Sequence, residues 1–444
     1  MTAAQPKPHA SWLKPFESLE NANFRYYWLG TLVSSLGTRL QSLALAWLVL
    51  KLTGSSLALG LVLTVESIPI LLFSLFGGAM ADRLPKRRIL LATQSVMLVQ
   101  ALALGILSTL GLINIWTIYV LVAIVGLVQA IDMPTSQSFV EELVGSDKET
   151  LANASELTST LFNMTKVAGP ALGGIIVAAI GEEPAFYLNA VSFFGVLGAL
   201  LVIDKRKLFP AKARPVEKIQ AQIKAGLAYA IRTVDIVSLL LLLGALGLFG
   251  YNLGVLMPLI AKRILDSGPA GLGMLSAALG VGSLAASLLI DVLGLSTRRL
   301  VLVGAVAFTL ALLSVSLFDG WYLALPLTAL LGFSSVMFLA TANARLQVLV
   351  DEEFRSQLMS VYTILIFGTT PVGSLMTGAL VDRIGVRETA AALAVLCGLG
   401  LVATFVYMHR KRDQLVPDTM DAPIPRAEAA LRRHMHLPWL VLHR

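Results

Sequence analysis

Apolar residues run through this chain in long blocks, with polar and charged residues gathered between them. About twelve blocks reach the roughly 20 residues that a helix needs to cross a 30 Å hydrocarbon layer. They fall at 25–50, 57–81, 89–110, 116–138, 154–180, 186–203, 237–261, 271–292, 300–318, 322–345, 358–381 and 388–408. Backbone in hydrocarbon must satisfy its own N–H and C=O groups, so blocks of this length predict helices. The longest interior break, Asp204 to Asp235, is rich in charge and Pro and separates six blocks from six. The expected fold class is an all-α membrane protein, its twelve transmembrane helices in two pseudo-symmetric six-helix halves. The corresponding segments are an N-terminal tail over 1–24, a first half over 25–203, a linker over 204–236, a second half over 237–409 and a C-terminal tail over 410–444. A surface helix is expected in the linker, from about Val216 to Arg232.

Composition supports this pattern. The chain is 56% hydrophobic and 14% charged, with mean hydropathy +0.79, whereas soluble domains carry about 25% charge. A net charge of +7 then points to basic loops facing anionic lipid rather than to nucleic acid. With both termini inside, the inner segments hold most Lys and Arg, eight of them between Asp204 and Asp235, while the outer loops hold Lys51, Lys262, Arg263, Arg383 and Arg387. That bias places both ends in the cytoplasm. Met1 to Asn23 is polar, with no short apolar core before a cleavage site, so no cleavable signal peptide is expected. The single cysteine, Cys397, excludes an internal disulfide. His434 and His436 lack a third ligand for a metal. Their tail, with Trp439 and Leu440, is expected on the inner membrane surface.

Between the second and third blocks runs Gly77-Gly-Ala-Met-Ala-Asp82-Arg83-Leu-Pro85-Lys86-Arg87-Arg88. It resembles the loop between helices 2 and 3 of the major facilitator superfamily, G-x-x-x-D-R-x-G-R-[RK]. Gly78, Asp82, Arg83, Lys86 and Arg87 match it, and Pro85 replaces the second glycine. Val33-Ser-Ser-Leu-Gly37, Trp47 to Ser55, Asp132-Met-Pro134 and Asn189-Ala-Val-Ser-Phe are similar to the superfamily's drug and siderophore exporter branch, the transmembrane secretion effectors, which include enterobactin-exporter-like proteins. Gly169-Pro170-Ala-Leu-Gly173-Gly174 resembles the superfamily's antiporter motif, with Thr165 in place of a preceding glycine. The resemblance implies the major facilitator fold, and a cytoplasmic gate built on the loop and Asp132. Asp132 would accept Arg83, Lys86 or Arg87, or be an ordinary helix-end charge. The three glycines would pack the fifth span against the eighth, or be simply the small residues by which membrane helices pack. A weak internal repeat sets Gly169 to Gly173 against Thr370-Pro371-Val-Gly373. A near-copy of the loop motif, Gly378-Ala-Leu-Val-Asp382-Arg383, falls outside by span count; the loop's counterpart keeps Asp291, Arg298 and Arg299.

Charges inside the blocks carry the chemistry, since each costs several kcal/mol in hydrocarbon unless paired or hydrated. These are Arg39, Glu66 and Lys166, with none deep in the second half. Spacing along ideal helices puts Arg39 and Glu66 at similar depth. Glu66 is then a protonatable coupling carboxylate or one end of a permanent ion pair. Lys166 lines a cavity, partners Glu66 or binds a carbonyl freed by Pro170. Asn163, Asn252 and Asn343 touch substrate or bridge helices. The expected function is secondary active export of a small amphiphile, drug-like or siderophore-like, by alternating access and in exchange for protons. The alternative on this scaffold is a passive facilitator or lipid flippase. No ATP-binding loop or Cys–His pair supports an enzyme. The expected partners are a small-molecule substrate, protons and the bilayer of the cell membrane, with no cofactor, metal or nucleic acid, for a chain acting as a monomer.

Overall fold

A computed structural model describes residues 17–209, 227–231, 233–293, 297–317, 320–351 and 354–414. Most of both tails, most of the surface helix expected from Val216 to Arg232, and the His434–His436 pair lie outside them. Among the described residues, twelve helical segments are long and apolar enough to cross a membrane. They are built from α1 (Ala22–Thr53), α2 (Ser56–Arg83), α3 (Lys86–Thr109), α4 (Ile115–Val144), α5 (Lys148–Ile180), α6 (Glu183–Val202), α7 (Val234–Phe249), α8 (Leu253–Leu259), α9 (Pro269–Leu293), α10 (Arg298–Ser314), α11 (Trp321–Leu349), α12 (Arg355–Ile384) and α13 (Val386–Arg410). Large apolar side chains such as Leu72, Phe76, Val99, Val191 and Phe405 are exposed, the surface a helix turns toward lipid.

Several helices overrun their apolar blocks because capping sets their ends. Asn114 accepts the N–H of Thr117 at the start of α4, and Thr297 accepts that of Leu300 at the start of α10. Asp147 accepts both the N–H and the hydroxyl of Thr150. α5 therefore begins at Lys148, six positions earlier than hydropathy alone suggests. Those bonds also hold the Asp147 carboxyl below its ordinary pKa.

The seventh span departs from expectation. It is not one helix: α7 stops at Phe249, the chain turns through Gly250 to Asn252, and α8 resumes and closes in a π turn, Ile260–Ile264. Gly250 lets the Phe308 ring lie against the backbone, where a Cβ would collide with it. Tyr251 stacks on that ring, centroids 4.8 Å apart, and its hydroxyl donates to Ser335 O at 2.8 Å. Irregular backbone at this depth persists because protein groups take up its hydrogen bonds.

The chain forms two compact units. The first holds α1 as far as Leu45 and the chain from Pro69 through α6; the second holds Ala46–Ile68 and the helices from α7 onward. In the first unit, α1 crosses α6 at Gly30 and Gly37, where a Cβ would meet Gly195 O at 2.7 Å and Asn189 Oδ1 at 2.7 Å. α1 also lies on α5, Gly77 of α2 lies on the backbone of α4, and α3 packs on α4 and α6. In the second unit α7 packs on α12 and α13, α10 on α11 and α13, and α9 meets α11 backbone to backbone at Gly282 and Gly332. Counted as spans, the pairings 1–5, 1–6, 2–4, 3–4 and 3–6 recur as 7–11, 7–12, 8–10, 9–10 and 9–12. That recurrence is the pseudo-symmetry of the halves.

One buried polar cluster ties the first unit together. Asn189 of α6 donates to Gln41 Oε1 of α1 at 2.8 Å, and Gln41 donates to Gln100 Oε1 of α3 at 3.1 Å. Interhelical hydrogen bonds of this kind contribute about 0.6 kcal/mol on average and up to about 1.7. Asn189→Leu should therefore lower the midpoint of thermal unfolding in detergent. Adding Gln41→Leu should cost less than the sum of the two single changes, because the first already breaks the link.

Candidate functional site

The loop from α2 to α3 sorts its charges by depth. Pro85 precedes α3 and fixes its entry, so Lys86 begins the helix nearly buried. Its Nζ reaches Glu142 Oε1, near the end of α4, at 2.7 Å, with side chains 5% and 16% exposed. Arg87 donates to the carbonyls of Leu200 and, at 3.2 Å, Leu201, where a cation is favoured at the C-terminus of α6. Asp132 takes neither cation. It is buried and accepts from Thr93, from Gln94 at 3.0 Å and from Ser136 at 3.4 Å. The reason is position: Asp132 lies ten residues before Glu142 on α4, about 15 Å deeper, while Glu142 is level with the start of α3. Sequence inspection missed Glu142, which had no motif around it. Asp82 and Arg83 are exposed, Asp82 has no polar partner among the described residues, and a Cβ at Gly78 would meet nothing within 4 Å.

Arg39 and Lys166 stand near the midpoints of α1 and α5, both exposed and within Coulombic reach of each other. Gly169 explains the approach: a Cβ there would run into Arg39 Cβ, so the missing side chain makes room for the arginine stem. Gly173 likewise lies on Leu40, where a Cβ would be 3.3 Å from Leu40 Cα. At these two positions the glycine motif of α5 makes room for α1. Pro170 sits inside the helix between them, Gly174 is buried, and Asn163 is half-buried one turn before Lys166. Two exposed cations at midspan require water or counter-charge, which makes this face the polar wall of the first unit.

Within the second unit, Glu66 is half-buried on α2, three residues before Pro69. Asn252 is buried at the break of the seventh span, where its amide donates to Leu248 O at 2.8 Å. It lies against Gly373 of α12, where a Cβ would be 2.5 Å from its Oδ1. Asn343 accepts from Gln347 at 2.6 Å. Both asparagines thus hold backbone or helix neighbours. In the second half, the buried charges stand near helix ends. Arg345 of α11 is 1% exposed, and Asp235, in the first turn of α7, is 3% exposed and 3.4 Å from Arg298 Nε. These three line a small cavity with Ser238, Leu242 and Met408. Apolar blocks ending at 345 and starting at 237 put both charges at the edges, and helix overrun brings them in.

The fold is that of solved major facilitator transporters. The structure of a bacterial homologue of the human lysosomal transporter Spinster, inward-facing and unoccupied, superposes with TM-score 0.69 at 12% identity, over 94% of this chain and 100% of that one. Residues 13–435 match the family model described as transmembrane secretion effector, and the chain belongs to that family of transporters, which are not enzymes. Among its relatives, the multidrug efflux pump Tap of Mycolicibacterium fortuitum is 26% identical over 86% of this chain and 95% of its own. The staphyloferrin A transporter of Staphylococcus aureus is 25% identical over 87% of this chain and 96% of its own.

The Lys86–Glu142 pair gives a direct test of the loop. Removing one partner of a buried pair leaves an uncompensated charge and costs about 3–5 kcal/mol. Lys86→Met alone should sharply reduce folded yield, and Lys86→Met with Glu142→Leu should recover most of it, as read by size-exclusion yield and thermal unfolding.

Proposed function

We propose that this protein is a secondary active exporter of a small amphiphile, a drug-like compound or a siderophore-like metabolite, working by alternating access in exchange for protons at the cell membrane. The observation that carries the reading is full-length similarity to an efflux pump and a siderophore transporter, joined to charges at midspan. Arg39 and Lys166 give the first unit a basic wall, and Glu66 gives the second a carboxylate. Glu66 is the group whose protonation couples to substrate release, and the three asparagines shape the cavity. Gly78, Asp82 and Arg83 form the moving part of a cytoplasmic gate, with Lys86 and Arg87 anchoring its base and Asp132 bracing α3 on α4. Gly169, Pro170, Gly173 and Gly174 keep α5 close to α1. Both termini and the basic linker face the cytoplasm, by the bias of Lys and Arg, and the chain acts as a monomer in the bilayer.

Glu66→Gln imitates the protonated acid at nearly constant shape. It should still exchange substrate across proteoliposomes but lose uphill export driven by a pH gradient. Full gradient-driven export by this variant sinks the coupling role, and downhill movement with no proton flux in the parent protein favours a passive facilitator or lipid flippase. Asp82→Asn should reach the membrane in normal amounts and turn over more slowly, since the exposed Asp82 side chain has no polar partner among the described residues. Unchanged turnover in the same vesicles argues against a gate at the loop.

A further inference from the structure

The near-copy of the loop motif, Gly378 to Arg383, ends α12 and shares the second unit with Ala46–Ile68. There it grips the start of α2. The Asp382 carboxylate accepts the backbone N–H of Ser56 and of Leu57 and the hydroxyl of Ser55, each at 2.9 Å. The Ser55 hydroxyl oxygen accepts the N–H of Ala58 at 3.2 Å. The first N–H groups of a helix have no partner within it, and here Asp382 and Ser55 supply them. Gly378 admits the contact: a Cβ would stand 2.5 Å from Ser56 O and 3.0 Å from Leu57 Cα. Gly60 does the same in return, with Ser374 O in its place, and Thr64 donates to Pro371 O at 2.9 Å.

Cations hold the other side of the same turn. Lys262 donates to Leu50 O at 2.6 Å and lies over the Trp47 ring, 5.8 Å from its centroid. Arg263 donates to Gly54 O at 2.7 Å and reaches Asp382 at 3.3 Å. Both belong to the π turn that closes the seventh span. An anion thus sits at the N-terminus of α2 and cations at the C-terminus of α1, each the sign that the helix dipole favours.

We propose that Asp382, Lys262 and Arg263 are the outer gate of the transport cycle. They clasp the α1–α2 turn to the ends of the seventh and eleventh spans when the outer face is closed, and release it when that face opens. The proposal rests on reading the chain as an alternating-access transporter with this turn outside. Three features suit a contact that must open. The bonds are charge-to-backbone bonds that water can replace. Asp382 and Arg263 are about a third exposed, 30% and 33%. Behind them lie small residues, Gly60, Thr64, Ser374 and Gly378, so parting uncovers little large apolar surface.

The test uses a cysteine at Thr64, which lies on α2 and is buried against α12, in the full chain with Cys397→Ala, labelled from outside by an impermeant maleimide. Asp382→Asn should raise the labelling rate roughly two- to fivefold, the span of one helix-end charge interaction. Asp382→Glu should raise it less, and Lys262→Gln should act in the same direction as Asp382→Asn. If Asp382→Asn does not reach the membrane, Lys262→Gln and Arg263→Gln read the same closure. Unchanged labelling in the charge-removing variants that fold overturns the gate. The transporter reading fails separately: faster labelling in a protein that moves no drug or siderophore keeps the gate and removes the transport assignment, while normal transport with unchanged labelling does the reverse.

Discussion

Helices in hydrocarbon gain nothing by trading lipid contact for contact with one another's leucines, so this bundle depends on how closely backbones can approach. Glycine sets that distance. Gly30 and Gly37 bring α1 onto α6, Gly169 and Gly173 bring α5 onto α1, and Gly282 and Gly332 bring α9 and α11 into backbone contact. At several of these crossings a single Cβ would overlap a carbonyl oxygen. The polar cluster of Gln41, Gln100 and Asn189 then adds direction to a contact that packing alone would leave free to rotate. The recurrence of the same pairings in each unit follows, because each half solves one packing problem with one arrangement of small residues.

Much of this was legible beforehand. Twelve apolar blocks, the central break and the loop at Gly78 to Arg87 lead to the fold, because bilayer thickness converts composition directly into helix length. The break of the seventh span was not legible. Gly250 and Asn252 are ordinary members of an apolar run, and only the stacking of Tyr251 on Phe308 shows why the helix stops there. Side-chain partners were the least legible. Asp132 looked like the acceptor for the basic loop because both belong to one motif set, yet the cations go to Glu142 and to the end of α6. Motif membership carries no depth, and depth decides who meets whom. The same lesson covers Arg345 and Asp235, which hydropathy put at block edges and helix overrun buries.

Charges in this chain fall into two physical kinds. Those at helix ends meet orphan N–H or C=O groups of fixed polarity, so their partners follow from helix direction: Arg87 on α6, Asp147 on α5 and Asp382 on α2. Those at midspan, Arg39, Lys166 and Glu66, stand where interior backbone groups are already bonded to one another within the helix. A midspan charge must be met by another side chain, by water or by a substrate, and which of these meets it can change during a cycle. This division explains why helix-end charges suit gates and midspan charges suit coupling.

The two Gly-x-x-x-Asp-Arg stretches show one device at two positions. A glycine and a carboxylate four residues apart share a helix face, so the glycine seats a foreign helix end and the carboxylate one turn on receives its N–H groups. At Gly378 and Asp382 the seat is filled by the start of α2, and the carboxylate is fully bonded. At Gly78, among the described residues, a Cβ would meet nothing within 4 Å, and Asp82 stands exposed. The stretches are not equivalent by repeat, since they end the second and eleventh spans rather than the second and eighth. Their likeness is therefore one of physical requirement rather than of internal duplication. Docking a helix N-terminus through charge needs room and an acceptor in that order, and four residues is the shortest helical spacing that provides both on one face while leaving a full turn between them.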